Sequence, residues 1–236
     1  NDEYYDRIEA IQFTMNHDDG NLIGEVDKSD IIAIMHPDKS LAVLDVSNVS
    51  VVDYWEKFEN ISLRVSIDGM GNKAEYIRKG TDWKLIEDNF KYVRQRLPNV
   101  NIGISSVFQL FNAIHLADFY QDWIDKKIIT EKTIENIFVI PLTGPIHLSS
   151  QVLPNEVKDL VVKRWDEFNN KNKSLLAKSE HNSFVSSVTR SIQHMKSEEL
   201  YETHKTEFEK FTLYLDKIRK ESFSDIFPEL KKYYEC

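Results

Sequence analysis

Between residues 41 and 142 the sequence alternates between β-branched apolar runs and amphipathic helical runs, and this alternation constrains the fold most tightly. LAVLDVS (41–47), ISLRVSI (61–67), VNIGISSVF (100–108) and IENIFVIPL (134–142) read as buried strands. Between them, VVDYWEKF (51–58) reads as a short helix with Val51, Tyr54, Trp55 and Phe58 on one face. Thr81 reads as the N-cap of a helix from Asp82 to Leu97, and residues 110–126 as an amphipathic helix. Such spacings suit right-handed βαβ crossovers and predict an α/β fold with a parallel sheet. Upstream, IEAIQFTM (8–15) reads as a short strand and DIIAIMH (30–36) as a short helix or strand.

After Pro154 the pattern turns helical, in NEVKDLVVKRWDEFNN, SFVSSVTRSIQHMK and THKTEFEKFTLYLDKIRK. The organisation is α/β over residues 1–150, then all-helical over 151–236, either as a domain of its own or as cover for the sheet.

Composition narrows the function classes. A chain of 236 residues with 41% hydrophobic and 11% aromatic content is globular. Its net charge of −9 is concentrated in residues 1–50, which hold eleven acids and three bases, whereas residues 151–236 balance at fifteen each. Acidity without a basic cluster argues against non-specific binding to nucleic acid or anionic membranes. No apolar run is long enough to span a membrane. The one cysteine, Cys236, allows no intrachain disulfide and no cysteine metal site, reads as a frayed terminal thiol, and suits the cytoplasm. Without a signal peptide or an initiator methionine, the chain is expected to be a processed or partial product.

Chemistry-bearing patterns are sparse. The seven histidines never pair at HxH or HExxH spacing, and NHDDGNLIGE (16–25) fails the calcium-loop pattern, so no metal site is predicted. P-loop, GxGxxG and GxSxG motifs are absent, which leaves no catalytic residue to name. The stripe Phe108, Phe111, Phe119, Tyr120 and Trp123 reads as core. The carboxyl ends of parallel strands ordinarily hold ligands. There the sequence places Ser47, Asn48 and Ser50, then Ser66 and Asp68, then Ser105 and Ser106, then Thr143 and His147. Ser66 and Asp68 suit vicinal sugar hydroxyls, and Arg78 suits a carboxylate or phosphate. The same residues also suit ordinary caps at strand ends.

Residues 53–83, DYWEKFENISLRVSIDGMGNKAEYIRKGTDW, resemble the fourth-strand region of radical S-adenosylmethionine (radical SAM) enzymes, in particular the twitch-domain proteins of marine bacteria and their phages. The likeness continues through GISSVFQLFNAIHLADFYQDWIDK and LDKIRKESFSDIFPEL. It implies a partial (β/α) barrel over residues 1–150 with the helical region packed on it. It further implies S-adenosylmethionine at the strand ends: Ser66 and Asp68 on the ribose, Arg78 on the methionyl carboxylate, and Ser105 and Asn48 facing the same cleft. The family's four-iron four-sulfur cluster needs a CxxxCxxC loop, which this chain lacks, and the GGE-type motif is missing too. The resemblance therefore implies a non-catalytic, degenerate homologue with a residual S-adenosylmethionine or nucleoside pocket. The alternative is the C-terminal portion of an active enzyme whose cluster-binding segment lies outside this chain. No partner is specified beyond a homodimer through an exposed sheet edge.

Overall fold

The computed structural model of the chain describes residues 51–58, 61–177 and 183–236. In chain order these form α1 (Val51–Trp55), β1 (Ser62–Ser66), α2 (Gly71–Ile77), α3 (Trp83–Arg96), β2 (Asn101–Phe108), α4 (Leu116–Asp125), α5 (Glu131–Ile134) and β3 (Ile137–Pro141). There follow α6 (Asn155–Lys171), α7 (Lys173–Leu176), α8 (Ser183–Ser197), α9 (Tyr201–Arg219) and α10 (Phe223–Ile226). The strands expected at 8–15 and 41–47 and the segment 30–36 lie outside the described residues.

The three strands form one sheet in the order β1-β2-β3. Asn101 N–H donates to Ile61 O and Ile67 N–H to Ser105 O, so β1 and β2 run parallel. β2 and β3 are also parallel, with Ser105 opposite Phe138 and Val107 opposite Ile140. The mixed α/β class and the parallel sheet are as the alternation predicts.

The described residues divide into two compact units, those within 51–63 with 79–102 and those within 64–78 with 103–236. In the first, Asp82 caps α3 in place of the expected Thr81, its carboxylate accepting from Leu85 N–H at 3.0 Å. α3 buries Ile86, Phe90 and Val93 at helical spacing. Arg96, late on α3, reaches Asp53 at 2.5 Å and Glu56 at 2.6 Å. α1 ends at Trp55, Val52 is buried, and Phe58, past the helix, is exposed.

The second unit is organised by two aromatic clusters. Tyr120 of α4, beside Phe119 and through it Trp123, meets Trp165 of α6 and Phe184 of α8, and Phe168 of α6 touches both of these. Tyr76 of α2 meets Phe111, Phe223 and Phe227, and Phe208 of α9 joins them. The stripe from Phe108 to Trp123 is buried throughout. The helix expected over 110–126 starts only at Leu116, because Asn112 holds the preceding residues in a turn: its Oδ1 accepts from Gln109 N–H at 2.8 Å.

Among the described residues β3 is an edge strand, and its polar groups at Val139 are bonded by a helix. Ser187 Oγ of α8 accepts from Val139 N–H at 3.0 Å, and Ser191 Oγ donates to Val139 O at 3.1 Å. Gly103 of β2 lies so near β3 that a Cβ there would stand 2.9 Å from Asn136 O. Among the described residues, no helix is long and apolar enough to cross a membrane.

Candidate functional site

The carboxyl end of β1 gathers most of the residues expected to meet a ligand, all within the second unit. The chain leaves the strand at Asp68, whose side chain is 4% exposed. Its Oδ2 accepts from Arg78 Nε at 2.7 Å and its Oδ1 from Val107 N–H at 2.7 Å. Asn112 Nδ2 donates to Asp68 O at 2.9 Å and to Val107 O at 2.7 Å. Burying a carboxylate is tolerable because a guanidinium and a backbone amide face it. Arg78, 32% exposed, gives only Nε to this pair, and its Nη nitrogens meet no acceptor among the described residues.

Ser66 and Ser105 lie beside each other on neighbouring strands, as the Ile67–Ser105 bond requires, with Ser66 exposed and Ser105 half-buried. Alternation puts Arg64, Ser66, Ser105, Phe138 and Ile140 on one face of the sheet, and none of these is buried. Arg64 lies across this face, its guanidinium carbon 4.8 Å from the Phe138 ring centroid. The opposite face is packed: Val65, Ile67, Ile104, Ile137 and Val139 are all buried. Ser106 belongs to that buried side, donating to Ile67 O and lying 2.7 Å from Tyr120 Oη. Burial raises the Tyr120 hydroxyl well above its ordinary 10.0, and the Asp68 charge adds to this while the Ser106 bond works against it. Tyr120 is thus a neutral hydrogen-bonding group.

The expected residues Ser47, Asn48 and Ser50 lie outside the described residues, and His147 does not join the rim. His147 sits in a 3-10 turn (Ile146–Leu148), its Nδ1 3.2 Å from Glu207 and its ring against Phe211. Cys236 is half-buried rather than frayed, and burial pushes its thiol up to about 12.

Two features were not anticipated. Arg64 shares the rim's face, and the period-two spacing of Arg64, Ser66 and Asp68 was the signal for it. A second polar cluster joins His115 to Glu229 and, at 3.5 Å, to Asp118, with Lys73 3.6 Å from Glu229 and Arg164 bonded to Asp118. Its members are far apart in sequence, and no local pattern links them. Among the described residues no group of histidines, cysteines and carboxylates is arranged to hold a metal ion.

A family model described as kinase/pyrophosphorylase matches residues 1–35. A Pelagibacter ubique protein named as a pyruvate, phosphate dikinase regulatory protein is 71% identical over 34 residues, 14% of this chain and 12% of that protein. A protein of the same name from Wolbachia sp. subsp. Brugia malayi (strain TRS) is 65% identical over 34 residues, again 14% and 12%. A Bdellovibrio bacteriovorus protein of that name is 28% identical over 121 residues, 51% of this chain and 36% of its own length. The chain thus spans about an eighth of the length of the first two relatives. No solved structure matches.

These likenesses overturn the radical SAM resemblance. With it fall the S-adenosylmethionine pocket, the iron–sulfur cluster, the twitch-domain and phage associations, and both functional readings built on them. The structure supplies a physical reason why the block misled. The most specific stretch, SIDG…YIRKGTDW, builds an internal ion pair in which each Asp68 oxygen already accepts a hydrogen bond. The finding that replaces the resemblance is a segment of 34 residues strongly similar to dikinase regulatory proteins.

Proposed function

We propose that this chain is a regulatory protein that acts on an enzyme of the pyruvate, phosphate dikinase kind. One observation carries the reading, the 71% identity over 34 residues with the Pelagibacter ubique protein, beside the kinase/pyrophosphorylase match at residues 1–35. The sheet adds support. The free Nη nitrogens of Arg78, the Arg64 guanidinium and the hydroxyls of Ser66 and Ser105 suit the oxygens of a phosphoryl group, with Asp68 orienting Arg78. In this reading the three parallel strands are an arc of a (β/α) barrel whose inner face is the open face of the sheet. The partner is an enzyme, and the action takes place in the cytoplasm.

The test is direct. Purified pyruvate, phosphate dikinase is incubated with the chain, with and without adenine nucleotides, and its turnover and intact mass are followed. The expected result is a change in turnover that needs both the chain and a nucleotide, accompanied by gain or loss of a phosphoryl group on the dikinase. Unchanged turnover and mass under all conditions would contradict the reading.

A further inference from the structure

α9 shows solvent a face that a lone helix would not build. Its inner side is anchored by Phe208 and Thr212, both fully buried, and packs on α10 and the 3-10 turns at Ile146–Leu148 and Ser150–Val152. At 100° per residue, Lys210, Leu213, Tyr214, Lys217 and Ile218 fall on the opposite side. Three of these are large and apolar, with Leu213 50%, Tyr214 64% and Ile218 58% exposed. They lie within two turns of one helix, whereas scattered single apolar residues would need no explanation.

The charges that sit among them are lysines. Lys210 and Lys217 sit between the apolar residues and make no ion pair among the described residues. Of the acids that flank this face, Glu207 is engaged by His147 at 3.2 Å and His204 at 3.1 Å, and Glu221, four residues after Lys217, is half-buried. Asp216 is turned inward, accepting from Tyr76 Oη at 2.9 Å and from Phe223 N–H at 2.7 Å. The outer face of the C-terminal half of α9 is therefore apolar with unneutralised lysines.

We propose that this face docks an amphipathic helix of a partner protein whose apolar stripe is flanked by glutamate or aspartate. Apolar side chains of the partner pack on Leu213, Tyr214 and Ile218, and its carboxylates meet Lys210 and Lys217, whose aliphatic stems add to the apolar contact. The inference deepens the regulatory reading, on which it rests only in naming the dikinase as the protein that carries such a helix.

The experiment separates the two. A synthetic helix with leucine on one face and glutamate flanking it is titrated into the intact chain, beside a counterpart with lysine in place of glutamate. The acidic peptide is expected to bind and the basic one not to. Ile218→Glu and Lys217→Glu should each weaken binding at least about tenfold. Both positions are exposed, so the variants should melt with the parent. Equal binding of both peptides, no binding of either, or no effect of the substitutions would overturn the proposal. Self-association of the chain that Ile218→Glu abolishes would also overturn it, in favour of a second copy as occupant. None of these outcomes depends on dikinase turnover, so the docking face and the regulatory activity can fail separately.

Discussion

The Asp68–Arg78 pair shows how a single buried charge sets the local architecture. With 4% of its side chain exposed, Asp68 must keep its guanidinium partner or remain an uncompensated charge. Arg78→Ala should therefore cost about 3–5 kcal/mol of unfolding free energy in denaturant titrations. Asp68→Asn keeps an acceptor for Val107 N–H and leaves Arg78 free to turn to water, so it should cost less, about 1–3 kcal/mol. Equal losses from the two would mean that the pair is not what holds the turn. At Gly103 the constraint is space rather than charge. A Cβ 2.9 Å from a backbone carbonyl requires β2 and the β3 side to part, so Gly103→Ala should destabilise by about 1–3 kcal/mol, readable as a lowered melting temperature. The sequence pointed to Asp68, Arg78, Ser66 and Ser105 because polar residues at the end of an apolar run stand out locally. It could not show that Asp68 and Arg78 serve each other, since that depends on how α2 folds back.

At the level of elements, the strands and long helices were legible because their periodicity is local. β1, β2 and β3 lie within the expected runs, and α6, α8 and α9 match the three helical stretches after Pro154. The start of α4 was not legible, because the choice between helix and turn at 109–115 is made by Asn112 bonding to Asp68 O and Val107 O, contacts that exist only in the folded chain. The protection of β3 was hidden for the same reason. Ser187 and Ser191 read as polar positions on a helix, yet together they bond both backbone groups of Val139. Each serine-to-alanine change should cost about 1 kcal/mol, and the double-mutant cycle should show coupling, since both act on one peptide position. Strict additivity would mean that the two hydroxyls act independently of each other.

For the molecule as a whole, the long-range cluster of His115, Glu229 and Lys73 ties the final residues to α4 and α2 and gives the fold a defined acid response. Burial alone would raise the Glu229 carboxyl, but the His115 bond, with the His115 and Lys73 charges, outweighs it and holds the group below its ordinary 4.5. A carboxyl depressed in the folded state contributes stability that is complete above 4.5 and is lost as pH falls through the folded value. Unfolding free energy should therefore drop more steeply below about pH 4.5 in the parent than in Glu229→Gln, and parallel pH profiles would remove this cluster from the account. The proposed regulatory reading belongs to the same scale, because it concerns the action of the whole chain on another protein. The most direct measurement of that claim is sedimentation velocity of the intact chain mixed with a pyruvate, phosphate dikinase. The account predicts a boundary faster than either protein alone, and two proteins sedimenting independently at every concentration and nucleotide condition would contradict it.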